Sequence, residues 1–385
     1  MSSPSSTEVL SRLVSFDTTS RNSNLPLIEF VEGYLNDHGV PSQRVYDETG
    51  HKANLWATIG PEDRPGIILS GHTDTVPVDG QDWASDPFRL EERDGLLYGR
   101  GTCDMKGFLA CTLAAVPKML QQDLKRPIHL AFSYDEEVGC IGVIRLLEWL
   151  KEEAVRPEFC IVGEPTMMEV VTGHKGKRAM DCRVRGLPRH SSLAPEGVNA
   201  VDYAAMLVLK MREIAERLAS EGMRDEAYDI PHTTAHTGVI SGGTALNIVP
   251  EYCEVRCEFR ALPGDDVDGL IEELRAYARH LEAEMQAKAP ETGIEIDVYA
   301  SLQGMETPVD SDVTRLAKTL ARANGHSKVA YGTEGGRFAD MLSIPTIVCG
   351  PGSINQAHKA DEYIATAQLA NCDGFLERLI GWASE

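Results

Sequence analysis

The sequence has no Cys-x-x-Cys pair, no apolar stretch long enough to cross a bilayer and no excess of positive charge. Each absence removes a class of protein. The nine cysteines, an odd number, stand apart at Cys103, Cys111, Cys140, Cys160, Cys182, Cys253, Cys257, Cys349 and Cys372. This argues against a disulfide framework or a thiolate zinc site and for reduced, mostly buried thiols. A membrane helix needs about 20 consecutive apolar residues, and no segment approaches that. The opening Met1-Ser2-Ser3-Pro4-Ser5-Ser6 lacks the basic-then-apolar pattern of a signal peptide, so a soluble cytoplasmic protein is expected. Lys and Arg number 37 against 59 Asp and Glu, a formal net charge of -22. That balance disfavours nucleic acid and anionic membranes as partners. Repeats, low-complexity tracts and a long flexible linker are also missing.

What is present is globular in composition, with 42% hydrophobic and 25% charged residues, and at 385 residues the chain is long enough for two domains. Its first part alternates helical and strand patterns. Helices are expected up to Val14, over 27–36, 105–120 and 138–152, and strands over 43–46, 53–59, 66–69, 128–132 and 159–162. This alternation predicts an α/β sheet covered by helices on both faces. Near Ala179 the rhythm changes to strand 179–184, helix 198–220, strands 235–241 and 252–261, helix 267–286 and strand 294–300. The order βαββαβ is that of a compact, ferredoxin-like α+β domain. A helix over 311–324, a strand over 345–348 and a closing helix over 365–382 return to the first pattern. The expected organisation is a catalytic α/β domain, residues 1–178 and 303–385, interrupted by an inserted domain, residues 179–302.

Chemistry-bearing residues collect at element ends in the discontinuous domain. His72 and Asp74 follow one strand, and Asp104 sits in a glycine-rich loop before a helix. Asp135-Glu136-Glu137 follows the strand 128–132, Glu164 follows 159–162, and His358 lies after Gly350-Pro351-Gly352. Each has a bland reading: Asp104 as a helix N-cap, Glu136-Glu137 as a solvated pair at a helix start, Glu164 as a strand end. Ligands of open α/β sheets gather outside the carboxyl ends of strands, so these loops are able to meet. Two histidines with several carboxylates suit zinc, or cobalt in its place, and the surplus carboxylates suggest two metals.

The set His72-Thr73-Asp74, Gly99-Arg100-Gly101-Thr102-Cys103-Asp104-Met105-Lys106-Gly107, Asp135-Glu136-Glu137, Gly163-Glu164-Pro165-Thr166 and His358 resembles the di-zinc amidohydrolases. That family includes acetylornithine deacetylase, succinyl-diaminopimelate desuccinylase, aminoacylases and glutamate carboxypeptidases. The resemblance covers nearly the whole chain. It implies two Zn²⁺, with Co²⁺ possible, bridged by Asp104. His72 and Glu164 are implied ligands of one ion, Glu137 and His358 of the other. Asp74 is implied as the partner that orients His72, Glu136 as the general base, and Asp104-Met105 as a cis peptide. In the inserted domain, Gly186-Leu187-Pro188-Arg189-His190-Ser191-Ser192 resembles the lid motif whose histidine stabilises an oxyanion, often across a homodimer interface. Arg189 departs from the small residue usual there. Asn247, within Gly242 to Pro250, and Arg260 resemble the binders of the substrate's α-carboxylate, for which arginine is a natural bidentate clamp.

Within the family, Phe16 to Asn24, Gly243 to Pro250 and Gly350 to His358 with Asp361-Glu362-Tyr363 are most similar to the acetylornithine deacetylase branch. The implied activity is hydrolysis of a small N-acyl amino acid, N-acetyl-L-ornithine foremost. Succinyl-diaminopimelate desuccinylase and a general aminoacylase or carboxypeptidase remain the alternatives, with a non-catalytic binding protein a remote one. Ala360 and Gly335-Gly336-Arg337 depart from the branch pattern. Arg337 is expected to repel an ornithine ammonium, and Glu334 to offset it.

Overall fold

The computed structural model describes residues 4–153 and 157–385, so Met1-Ser2-Ser3 of the opening segment lies outside the described residues. The chain divides into two compact units. One takes the chain up to Gly173, then Met305–Lys328 and Thr333–Glu385; the other takes His174–Gly304 with Val329–Gly332.

The first unit is built on a nine-stranded mixed sheet. Its middle is four parallel strands in the order Ile128–Ser133, Ile67–His72, Phe159–Pro165 and Thr346–Gly350. All four are buried along their whole length, which is why each reads as a mainly apolar run rather than an alternating one. Two groups of helices flank the sheet. Ser6–Val14, Lys106–Leu120, Asp312–Ala321 and Thr366–Ser384 form one group, and Gly142–Glu152 with Gly335–Leu342 the other. Close approach is built in at Gly163, where a Cβ would lie 2.0 Å from the Phe108 ring. Parallel strands send their C-terminal ends to a common edge, and the loops that follow carry the chemistry.

The second unit has the order βαββαβ in a four-stranded antiparallel sheet, with Thr234–Gly242 and Gly293–Leu302 at its edges. The strand Tyr252–Ala261 alternates between the covered and open faces, so its sequence carries the period of two that fixes its limits. Cys253, Val255, Cys257 and Phe259 pack with Leu207, Met211, Ile214, Leu274 and Leu281 of the helices Ala200–Glu221 and Val267–Gln286. The expected boundary at 179 falls inside the strand Gly176–Arg185; the division lies nearer His174.

Other differences have local causes. The helix expected from Val138 begins at Gly142, because Gly139 at φ +117° and Cys140 at φ +55° turn the chain first. The strand 66–69 runs on through His72, and 159–162 runs on through Pro165. The helix Gly335–Leu342 was not expected, two glycines at its start being poor helix formers. Nor was the small sheet of Glu91–Arg93, Leu96–Tyr98 and Tyr363–Ala365, whose three-residue strands are too short to show a period. All nine cysteines are free and buried. No helix among the described residues is long and apolar enough to cross a membrane.

Candidate active site

His72 is the last residue of its strand and is fully buried. Its Nδ1 lies 2.9 Å from the main-chain oxygen of Asp74. A carbonyl only accepts, so Nδ1 carries a proton and Nε2 is the atom left to bind a metal, which would displace any proton there. Nε2 faces Asp104 Oδ1 at 3.1 Å and Glu164 Oε1 at 3.7 Å. The second imidazole, His358 at φ +63°, points Nε2 at Asp104 Oδ2 at 3.3 Å and Glu137 Oε2 at 3.0 Å. Asp104 therefore offers one oxygen to each histidine. It does not cap the helix that follows: Lys106–Leu120 starts at Met105 without a side-chain cap, and the Asp104–Met105 peptide is cis.

The carboxylate of Asp74 is 3.6 Å from His72 Nδ1, so the orienting hydrogen bond falls to its main-chain carbonyl. Its oxygens are occupied elsewhere. Oδ1 accepts the Glu136 N–H at 3.1 Å, and Oδ2 accepts the Glu137 N–H at 3.3 Å and the Ser20 hydroxyl at 2.7 Å. Asp74 thus fastens the turn that presents Glu136 and Glu137. That turn begins at Asp135, held at φ +55° with Lys52 Nζ 2.5 Å from its carboxylate. Glu136 and Glu137 are not a solvated helix-start pair; they precede the helix and face inward.

Electrostatics follow from this crowding. Burial pushes the Glu136 carboxyl up to about 8, with His72 opposing and Glu137 adding to the rise. Glu137 is pushed up to about 7 by burial and the charge of Asp104. Burial pulls His72 down, but Asp104 and Asp74 outweigh it and hold the imidazole well above its ordinary value. Asp104 moves the other way: burial raises it, and the hydrogen bonds from His358 and His72 more than reverse that. The ligating atoms of His72, Glu136 and Glu164 lie within 4.8 Å of one another, as do those of His72, Asp104 and Glu137. Four clustered carboxyls with two imidazole nitrogens between them are a donor set for hard or borderline cations, which would take the place of the imidazole protons.

His190, Asn247 and Arg260 belong to the second unit. The exposed His190 has Nδ1 2.8 Å from Ser192 Oγ, and its loop is tied to that of Asn247 by the Ser191 N–H on Asn247 O at 2.9 Å. Arg260 is half-buried, with Nε 3.0 Å from Glu258 Oε1.

Two buried carboxylates take parts that the sequence reading did not give them. Glu362 is 1% exposed and accepts the main-chain N–H groups of Gly101 at 2.9 Å, Cys103 at 2.9 Å and Asp104 at 3.0 Å, as well as Arg100 Nη1 at 2.8 Å. It moulds the loop that holds Asp104. The signal was there, since Arg100 and Glu362 both stand in the motifs that carry the resemblance. Glu334, expected to offset Arg337 toward substrate, is instead fully buried, its two oxygens taken by Ser70 and Ser133. It is not positioned to meet a substrate ammonium.

A two-unit α/β fold with carboxylates and histidines at the strand ends defines a metal-dependent hydrolase. The family pattern described as "Peptidase family M20/M25/M40" matches residues 68–381, and the chain belongs to that family. It is an enzyme, an amidohydrolase of linear amides. It is similar to the acetylornithine deacetylase of Myxococcus xanthus, 35% identical over 98% of this chain and 97% of that protein. Among solved structures, the aminopeptidase PepT of Bacillus cereus has the same fold, with a TM-score of 0.77 at 22% identity over 99% of this chain and 98% of that one. A Bacillus subtilis protein titled "a Dinuclear Metal Binding Peptidase from M20 Family" gives 0.65 at 14% identity, each chain covered to 97%.

Proposed function

We propose that the enzyme hydrolyses the amide of a small N-acyl amino acid, N-acetyl-L-ornithine foremost, releasing acetate and L-ornithine in the cytoplasmic synthesis of arginine. The observation that carries the reading is Asp104, one oxygen on each histidine, beside the inward-facing carboxyl of Glu136. The name of the Myxococcus relative supports the choice of substrate.

Two zinc ions, replaceable by cobalt, are the proposed cofactors, with His72 and Glu164 holding one, Glu137 and His358 the other, and Asp104 both. Bound there, they supply Lewis acidity to the amide carbonyl and acidify a water molecule. Glu136 accepts the proton of the attacking water. As the C–N bond breaks, it returns that proton to the departing amine, work worth about 10² to 10⁴ in rate. Asp74 keeps Glu136 in place throughout. His190 is the proposed donor to the oxyanion, and Asn247 and Arg260 the proposed partners of the α-carboxylate.

Release of a succinyl group from succinyl-diaminopimelate is the second reading. It is favoured by the placing of Glu334, which is taken up by Ser70 and Ser133 and so offers nothing to an ornithine ammonium. A panel of N-acyl amino acids with the zinc- and cobalt-loaded enzyme separates the two. Turnover of acetylornithine is expected, and cleavage of the succinyl compound alone replaces the first reading. Glu136→Ala should keep its metal by elemental analysis while kcat falls about 10² to 10⁴-fold. Loss of the metal instead would recast Glu136 as a ligand.

A further inference from the structure

Glu334 is a buried carboxyl for which the reaction has no use. It is fully enclosed beneath the site, where a leucine or methionine would fill the volume without the desolvation that a carboxyl carries. Its surroundings say what it does there. Oε1 accepts the Ser70 hydroxyl at 2.7 Å and Oε2 the Ser133 hydroxyl at 2.6 Å. Those serines stand on adjacent parallel strands, Ile67–His72 and Ile128–Ser133. Ser70 is two residues before His72 and so on the same face of the sheet. Ser133 is paired in register with His72 itself, and is the last strand residue before the turn carrying Glu136 and Glu137. The main-chain oxygen of Glu334 meanwhile accepts the Arg337 N–H at 2.9 Å and the Phe338 N–H at 3.3 Å, starting the helix Gly335–Leu342. One residue is therefore bonded to the strand that ends in His72, to the strand that leads into the Glu136–Glu137 turn, and to the start of the helix Gly335–Leu342.

We propose that Glu334 is a positioning residue: with Ser70 and Ser133 it clamps the two strand ends and so fixes His72 against the Glu136–Glu137 turn. This rests on the assignment of His72 and Glu137 as metal ligands. The clamp acts on geometry that metal binding needs before any substrate arrives, so it is read without substrate.

The test compares Glu334→Ala, the Ser70→Ala/Ser133→Ala double variant and Glu334→Gln with the parent. Zinc and cobalt affinity are measured by competition with a chromophoric chelator, and kcat and KM at saturating metal. Glu334→Ala and the serine pair should each weaken metal binding about 10- to 100-fold, the range for residues that support ligands. Both should lower kcat while KM changes by less than about 3-fold. All three substitutions together should be no worse than either, because they remove the same bonds. Glu334→Gln should recover to within about 3-fold of the parent, since a serine hydroxyl donates or accepts as required. Should Glu334→Ala fail to fold, the serine pair decides, as it removes only two hydroxyls. A serine pair with parental metal affinity and kcat overturns the clamp. A parent that binds no metal overturns the ligand assignment instead, and one that binds metal but cleaves no N-acyl amino acid overturns the substrate reading while leaving the clamp standing.

Discussion

Asp74 touches two parts of the site at once. Its main chain orients His72, and its side chain holds the backbone of Glu136 and Glu137. The two contacts respond differently to substitution. Asp74→Ala leaves the carbonyl on His72 and so should retain metal, yet frees the turn that aims the base. Turnover should fall about 10- to 100-fold. Asp74→Asn keeps one oxygen for the Glu136 N–H and should fall less. Kinetics with metal content measured on the same samples check both; equal losses accompanied by loss of metal would return the side chain to its simpler role on His72. The sequence showed the spacing of His72 and Asp74, but not which atom of Asp74 does which work. That depends on the approach of a turn more than 60 residues along the chain.

At the level of elements, the site is a set of loops pinned by buried carboxylates. Glu362 pins the Asp104 loop through three N–H groups and Arg100, from just before a strand that is itself only Tyr363–Ala365 long. Glu362→Ala strands Arg100, 1% exposed, without its counter-charge. Breaking a buried pair in this way costs about 3–5 kcal/mol. The expected result is a loss of that order in urea unfolding, with weaker zinc binding in chelator competition; unchanged stability would mean that the loop holds itself. The long elements were legible because each carries a period. The strand 252–261 and the helix 267–286 fall where alternation and helical spacing put them. The helix Gly335–Leu342 and the three-residue strands were not legible, having nothing local to repeat. Tertiary contacts hold them: the bonds of Glu334 to Ser70 and Ser133 at the start of the helix, the pairing of Tyr363 with Tyr98 for the small sheet.

For the whole molecule, the acid cluster sets how stability depends on pH. In the metal-free chain Glu136 at about 8 and Glu137 at about 7 lie above their ordinary value of 4.5, chiefly through burial. The stability they contribute is complete below pH 4.5 and is lost as pH rises through 7 and 8. His358, raised from 6.5 to about 10 by Asp104 and Glu137, acts in the same direction, its contribution complete below 6.5 and lost toward pH 10. The thermal midpoint in chelator should therefore fall from pH 5 to pH 9. Zinc or cobalt should raise it and flatten the trend, because cations replace the protons. A midpoint that climbs with pH in chelator would contradict the buried cluster. A second prediction concerns assembly. We propose a homodimer through the second unit, whose edge strand exposes Val239 at 48% and Ile240 at 51%, beside Leu209 of the helix Ala200–Glu221 at 63%. Light scattering should give a dimer, and Val239→Lys with Ile240→Lys a monomer of unchanged thermal midpoint. A parent that is monomeric would also count against His190 acting across subunits.

By itself the sequence determined the family and the order of the long elements, and it named the side chains proposed to hold metal. Those depend on residue type, spacing and period, which are local properties. Only the tertiary structure decided how the carboxylates divide their work. Asp104 facing both histidines, Asp74 holding a turn rather than a ring, Glu362 shaping a loop and Glu334 joining two strands all depend on distances between segments far apart in the chain. A carboxylate looks the same in sequence whether its oxygens meet a metal, an amide or a serine. Burial and partners tell them apart, and folding supplies both.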